Sequence, residues 1–308
     1  MVRACDVLSA MTGVIAAVAT PITASGGLHV ATFERLVDFL IESGVDGLCL
    51  GGATSEYPNT PVVDRRAAIS AAARRLPADR ALLVAIGAPS FRQVLELGES
   101  ARDAGCRAVL LPMPMFFRYE QHDLQAFAVE ASRALAAPVL LYDLPDFTNG
   151  LDPATVIALL TDERFIVGIK DSSGVPEHLT AYATARAARD WTLLVGHDGL
   201  FLDGLRAGWN GTVSGIACFC PELPLAIYRS CTRGDIERAR SLQTLLDEVI
   251  VELGALPAPW GIRIALEVRG FEMGQLPLPL SVARREQVNR YRAWLPAWMN
   301  KVSAAVRG

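Results

Sequence analysis

Two side chains in this sequence have types and positions suited to covalent chemistry on a carbonyl. Lys170 closes the apolar run of "IVGIKDSSG" (residues 166–174), and Tyr142 closes another in "PVLLYDLP" (residues 138–145). An amine that projects into apolar surroundings loses the solvation of its charged form, so its pKa is predicted to fall and leave a nucleophile. Attack on a carbonyl followed by loss of water yields an iminium, an electron sink that makes the adjacent carbon a nucleophilic enamine. Dehydrating the carbinolamine and moving the substrate proton both call for an acid/base group beside the imine, a task open to a tyrosine on a neighbouring strand. Each residue also has a plainer reading: a solvated lysine at a strand end, and a tyrosine ring packed at a rim with its hydroxyl in water.

A third stretch, "GGATSE" (residues 51–56), follows a further apolar run and offers backbone N–H groups with the hydroxyls of Thr54 and Ser55. Such a turn can cradle a carboxylate, and it can equally cap the helix that follows. The elements that must position these groups are legible as an alternation. Short apolar runs at 14–20, 47–51, 81–87, 107–112, 138–142, 165–170, 191–196 and 211–215 alternate with segments of helical period such as "TFERLVDFLIESG", "DRRAAISAAARRL", "FRQVLELGESARDAG" and "DLQAFAVEASRAL". Two of these segments stop at Gly44 and Gly105, as helices do before a following strand. About eight such units between residue 11 and about residue 233 predict an α/β fold, a closed (β/α)8 TIM barrel. An open doubly wound sheet is the alternative; the repeat count and the lack of a glycine-rich dinucleotide fingerprint after the first run speak against it. In the barrel, chemistry gathers at the carboxyl ends of the strands, where Lys170, Tyr142 and "GGATSE" all fall.

Beyond Gly234 the pattern changes to helices without intervening strands, so residues 1–233 are expected to form the barrel and 234–308 a C-terminal helical region packed on it. The stripe Leu242, Leu245, Leu246, Val249, Ile250 and Leu253 must bury against the barrel wall or a second subunit.

The 308 residues are 51% hydrophobic and 20% charged with a net charge of -4, which fits a compact soluble protein and argues against nucleic acid as a partner. Cys5, Cys49, Cys106, Cys218, Cys220 and Cys231 form neither paired CxxC units nor a secreted disulfide framework, so reduced thiols are expected. His29, His122, His178 and His197 are scattered, and neither metal nor cofactor is expected. Arg3 and the apolar stretch ending in Ala17-Val18-Ala19 have the outline of a secretory signal, but Asp6, Ser9, Thr12 and Gly13 interrupt it. No uninterrupted apolar span is long enough to cross a bilayer, and a cytoplasmic location is expected.

Taken together, "AVATPI", "ESGVDGL" with "GGATSE", "YDLP", "GIKDSSG", "GWNGTVSG" and "IALEVRGF" resemble, in order and spacing over nearly the whole chain, the dihydrodipicolinate synthase and N-acetylneuraminate lyase family of class I aldolases. The resemblance implies a barrel with a C-terminal helical region, a homotetramer or homodimer, and a Schiff base with pyruvate or another 2-keto acid. It implies Lys170 as the imine lysine and Tyr142 as the proton donor and acceptor. Thr54 and neighbouring N–H groups would hold the keto-acid carboxylate, with the backbone at Val213 beside it. Three departures stand out. Ala53 replaces the first of two threonines, Met115-Phe116 replaces a tyrosine pair, and Phe147 stands where synthases carry an arginine that grips the carboxylate of the aldehyde substrate. The hydroxyl relay from Tyr142 to solvent therefore lacks two members, and Tyr142 would need water or Ser55. A benzene ring cannot replace a bidentate cation, so synthase activity is disfavoured. The expected reaction is cleavage of a 2-keto-3-deoxy sugar acid or related 2-keto acid to pyruvate and an aldehyde. Asp143, Asp146 and Asn149 are candidates either for substrate hydroxyls or for capping the next turn. The alternatives are a 2-keto-acid dehydratase, dihydrodipicolinate synthesis, and a catalytically silent keto-acid-binding barrel.

Overall fold

The computed structural model describes residues 11–186 and 190–307; Cys5 and the first residues of the Arg3-led stretch lie outside them. The strands are β1 (Gly13–Ala17), β2 (Gly47–Leu50), β3 (Ala81–Ala85), β4 (Ala108–Pro112), β5 (Val139–Asp143), β6 (Ile166–Asp171), β7 (Thr192–Val195) and β8 (Gly211–Ser214). They pair in parallel in sequence order, and β8 closes on β1 to complete the expected (β/α)8 TIM barrel. Parallel strands with helices outside are buried on both faces, which is why their sequences read as continuous apolar runs.

The helices α1 (Val30–Glu42), α2 (Val62–Arg75), α3 (Phe91–Asp103), α4 (Gln121–Leu135), α5 (Pro153–Asp162), α6 (Pro176–Ala185), α7 (Phe201–Arg206) and α8 (Glu222–Thr232) surround the sheet. Gly44 and Gly105 have φ of 83° and 74°, the left-handed stop expected after α1 and α3. The predicted runs of β1 and β3 extend three and two residues past the observed ends and those of β2, β7 and β8 one residue, because pairing stops where neighbouring strands diverge into the loops above the barrel. β5 and β6 instead run one residue further, pairing Asp143 with Asp171.

Side chains of alternate residues fill the interior, among them Ile15, Ala17, Cys49, Leu83, Ala85, Leu110, Leu140, Leu194 and Val213. The other face of each strand packs on the helices in a larger core. α9 (Ile236–Gly254), α10 (Trp260–Val268) and α11 (Val282–Arg307) follow the barrel. Leu242, Leu245, Leu246 and Val249 are buried and Ile250 and Leu253 half-buried, within the same core as the outer face of the barrel. Trp298 Nε1 on α11 donates to Leu245 O at 3.0 Å and ties the two long helices together. The described cysteines are free thiols, with Cys218 and Cys220 in the outer core. Among the described residues no helix is long and apolar enough to cross a membrane.

Candidate active site

Lys170 and Tyr142 are directly paired in register on β6 and β5, so both side chains leave the sheet on its inner face at the same height. Lys170 Nζ donates to Tyr142 Oη at 3.0 Å and lies 4.1 Å from the centroid of the tyrosine ring. The two residues are 4% and 1% exposed, which removes the solvated reading of the lysine. Leu194, Cys49 and Val213 help line the interior around Tyr142. Gly196 keeps the space beside the lysine open, since a Cβ there would fall 2.8 Å from Lys170 Cε and 2.0 Å from Ser172 Oγ.

The electrostatics correct one expectation. Burial is the largest single influence on the Lys170 amine and lowers its pKa, but Tyr142, Cys49 and Asp198 pull the other way and together carry it above the ordinary lysine value. The pulls of Tyr142 and Cys49 require a phenolate and a thiolate, and burial pushes the Cys49 thiol up, away from ionisation. The 3.0 Å contact gives a proton a direct path between the amine and the phenol, and the amine attacks a carbonyl only in its neutral form.

The "GGATSE" turn sits at the end of β2 as a short 3₁₀ turn, Ala53–Ser55. A Cβ on Gly52 would lie 4.0 Å from Tyr142 Cε1, and one on Gly215 3.4 Å from Thr54 Oγ1, so the turn spans from Tyr142 to the end of β8. The first N–H groups of a helical turn have no partner within it, and those of Ala53 and Thr54 meet no protein acceptor among the described residues. Ser55 is committed: its Oγ donates to Val18 O at 2.6 Å and accepts from Gly51 N at 3.0 Å. With its single proton engaged, Ser55 braces the turn and has nothing left for a relay.

Asn149 likewise serves the fold, donating to Pro114 O and Phe117 O at 2.7 and 2.8 Å and accepting from Tyr119 N at 3.0 Å. Asp146 is exposed. Asp143 follows Tyr142 and so leaves the sheet on the opposite, outer face, where its Oδ1 accepts from Leu151 N at 3.0 Å. There Asp143, Asp171 and His178 bring one ligand atom each within 4.8 Å of one another. Asp171 Oδ2 lies 3.0 Å from His178 Nδ1, and Asp171 Oδ1 accepts from Ser173 N at 2.7 Å. Burial, with the charge of Asp171 added, pushes the Asp143 carboxyl up to about 6. The scattered spacing of the histidines carried no sign of this trio.

Three further residues carried no signal strong enough for a role. Tyr57 is buried beside Tyr142, with the Arg65 guanidinium 5.5 Å from its ring centroid; burial first, and then Tyr142, push its phenol up to about 12. Asp198, after β7, is hydrogen-bonded by Ser214 and by the Ile216 backbone, while its Oδ1 is buried without a partner and its pKa is raised by burial. Arg263 on α10 is fully buried and donates to Thr20 O at 2.9 Å, Glu56 Oε2 at 3.1 Å, Gln275 O at 3.2 Å and Met273 O. It staples the helical region to the mouth of the barrel across 207 residues of chain.

The arrangement is a buried amine and phenol below a turn with free N–H groups, at the carboxyl ends of barrel strands. A model of the dihydrodipicolinate synthetase family matches residues 10–297. The chain belongs to that family. 4-hydroxy-tetrahydrodipicolinate synthase 1 of Streptomyces coelicolor is 34% identical over 280 residues, covering 88% of this chain and 89% of that one. The probable 2-dehydro-3-deoxy-D-pentonate aldolase YjhH of Escherichia coli K12 is 30% identical over 237 residues, with 76% and 79% covered. Among solved structures, YagE, a prophage protein of the dihydrodipicolinic acid synthase family from E. coli K12 in complex with pyruvate, superposes with a TM-score of 0.86 at 26% identity. That match covers 94% of this chain and 98% of YagE. As a member of the dihydrodipicolinate synthetase family, the protein is an enzyme, an aldolase or lyase.

Within the dihydrodipicolinate synthetase family frame, the three departures fall at the mouth of the barrel. Ala53 lies in the turn beside Tyr142. Phe116 is 90% exposed and has a φ of 75°, uncommon for a residue with a side chain. Phe147 is 52% exposed and shares a cavity with Ala53 and Pro259.

Proposed function

We propose that the protein forms an imine between Lys170 Nζ and the carbonyl of a 2-keto acid, and cleaves a 4-hydroxy-2-keto acid to pyruvate and an aldehyde that carries no carboxylate. The observation that carries the reading is the 3.0 Å hydrogen bond between Lys170 Nζ and Tyr142 Oη inside an apolar barrel. The amine attacks C2, and Tyr142 gives its proton to the carbinolamine hydroxyl, which leaves as water. The phenolate so formed takes the proton of the C4 hydroxyl. The C3–C4 bond breaks, its electrons pass into the iminium, and the aldehyde departs. Tyr142 then protonates C3 of the enamine, and water returns to C2 to free pyruvate and the lysine. Thr54 and the Ala53 and Thr54 N–H groups hold the keto-acid carboxylate, with the Val213 backbone alongside.

Tyr57 replaces the missing relay in this reading. Its buried ring adjoins Tyr142 and the cavity at the mouth, so its hydroxyl can pass protons between Tyr142 and water. The named sugar-acid aldolase among the relatives supports the cleavage direction over condensation. Phe147, where the resemblance implies an arginine that grips a carboxylate, supports an aldehyde without a carboxylate. A homotetramer or homodimer belongs to the same proposal.

Borohydride reduction in the presence of pyruvate, followed by peptide mass analysis, tests the mechanism. The expected result is a reduced adduct on the peptide containing Lys170 that disappears in Lys170→Ala. No adduct with any of several 2-keto acids would overturn it.

A further inference from the structure

We propose that the aldehyde half of the substrate is an uncharged apolar group, for which an aromatic ring is the best fit, seated in the cavity above the Lys170–Tyr142 pair. This rests on the imine reading given above. The cavity holds about 190 Å³ and is walled by Ala53, Tyr57, Pro58, Phe147, Ala258 and Pro259. A cavity of about 150 Å³ lined with carbon is enough to take a benzene ring. It opens at the ends of β2 and β5. Ala53 follows Gly52, where an added Cβ would lie 4.0 Å from Tyr142 Cε1, and Phe147 lies on the loop leaving β5, its N–H donating to Leu144 O at 3.0 Å. Ala53 and Tyr57 of the wall are the links to Tyr142, and in this proposal the group attached to C4 of a keto acid bound at Lys170 extends past them into this space.

The charges around the cavity select against an anionic tail. Two guanidinium groups lie close by, and both are engaged elsewhere. Arg65 donates to Gly87 O at 2.6 Å and Ala85 O at 2.8 Å. Arg263 is spent on Thr20, Met273, Gln275 and Glu56. The Nε atom of each is buried with no accessible surface, so a ligand cannot reach it. The one ionisable wall residue besides Tyr57 is Glu56, whose Oε2 already accepts from Arg263 at 3.1 Å. A carboxylate or phosphate here would meet a carboxylate and no available cation.

A polyhydroxylated tail fares little better. Asn59 is the one side chain of the wall with uncommitted amide groups, and it is exposed at the rim. Beyond the Tyr57 hydroxyl and the Glu56 carboxylate, which already accepts from Arg263, the hydroxyls of a sugar chain would face Ala53, Pro58, Phe147, Ala258 and Pro259, whose side chains offer no partner. A pocket of this kind discriminates by contact area, by about tenfold or more per ring-sized difference in fit.

The test measures kcat/KM in the condensation direction with pyruvate and, separately, benzaldehyde, glyceraldehyde and aspartate semialdehyde, alongside borohydride trapping of pyruvate. The expected result is benzaldehyde preferred over both others by at least about tenfold. Phe147→Arg, at an exposed position, should reverse the preference toward the semialdehyde while still trapping pyruvate on Lys170. Trapping in the wild type without a preference for benzaldehyde, including turnover of none of the three, overturns this inference and leaves the imine reading standing. Failure to trap pyruvate or any other 2-keto acid overturns both.

Discussion

Asp143→Asn should stabilise the protein, and by an amount that grows with pH. The Asp143 side chain is 1% exposed on the outer face of β5. Desolvation pushes its carboxyl from 3.8 up to about 6; Asp171 adds to the rise, and the Leu151 and Leu144 N–H groups and His178 oppose it. The folded pKa lies above the unfolded one, so the folded state holds the proton more tightly. The stability this confers is fully present below about pH 4 and is lost as the pH rises through about 6. A rise of about two units corresponds to about 3 kcal/mol of penalty for the ionised carboxylate at pH 8. Asparagine keeps the oxygen that accepts from Leu151 N, and it turns an NH₂ donor toward the Asp171 carboxylate in place of a second negative charge. Urea denaturation from pH 4.5 to pH 8 provides the measurement. The variant should gain about 1 kcal/mol at pH 4.5 and about 3 kcal/mol at pH 8. A gain independent of pH, or a loss of stability at pH 8, would refute the assignment of the penalty to Asp143. Because the side chain faces away from the barrel interior, trapping of pyruvate on Lys170 should survive the change.

Two further substitutions address the interior of the site. Gly196→Ala places a methyl group 2.8 Å from Lys170 Cε and 2.0 Å from Ser172 Oγ; the displaced amine should trap pyruvate about 100-fold more slowly in a protein that still folds, as judged by circular dichroism. An unchanged trapping rate would mean that the lysine tolerates the shift. Tyr57→Phe removes the proposed proton link between Tyr142 and the cavity, and kcat for cleavage should fall by about 100-fold with the KM for the keto acid retained. A fall in affinity with kcat preserved would instead mark Tyr57 as a wall of the cavity only.

Much of this was legible in the primary structure, because orientation in a strand has a period of two and orientation in a helix a period of 3.6. The alternating runs predicted the barrel, and the position of Lys170 and Tyr142 at the ends of two of them predicted that both belong to one site. The same local rule could not say which way the amine titrates, since that depends on Cys49 and Asp198 arriving from other strands. It also left Asp143 and Asn149 open between substrate and fold. Asp143 turns outward to Asp171 and His178, and Asn149 clips the loop after β4. The last helix runs unbroken from Val282 to Arg307 with Pro296 inside it. Buried Leu295, Trp298 and Val302, with Trp298 bonded to Leu245 O, outweigh a proline cost of about 3 kcal/mol.

By itself the sequence determined the number of βα units, the faces to which side chains point, and the chemical types available at the strand ends, because each of these is written in neighbouring residues. Only the tertiary structure decided that Lys170 and Tyr142 meet at 3.0 Å, that Arg263 reaches back to Glu56, and that Ala258 and Pro259 come to face Phe147. These are contacts between segments far apart in the chain. Their formation depends on barrel closure and on how the C-terminal helices dock, which no local pattern specifies.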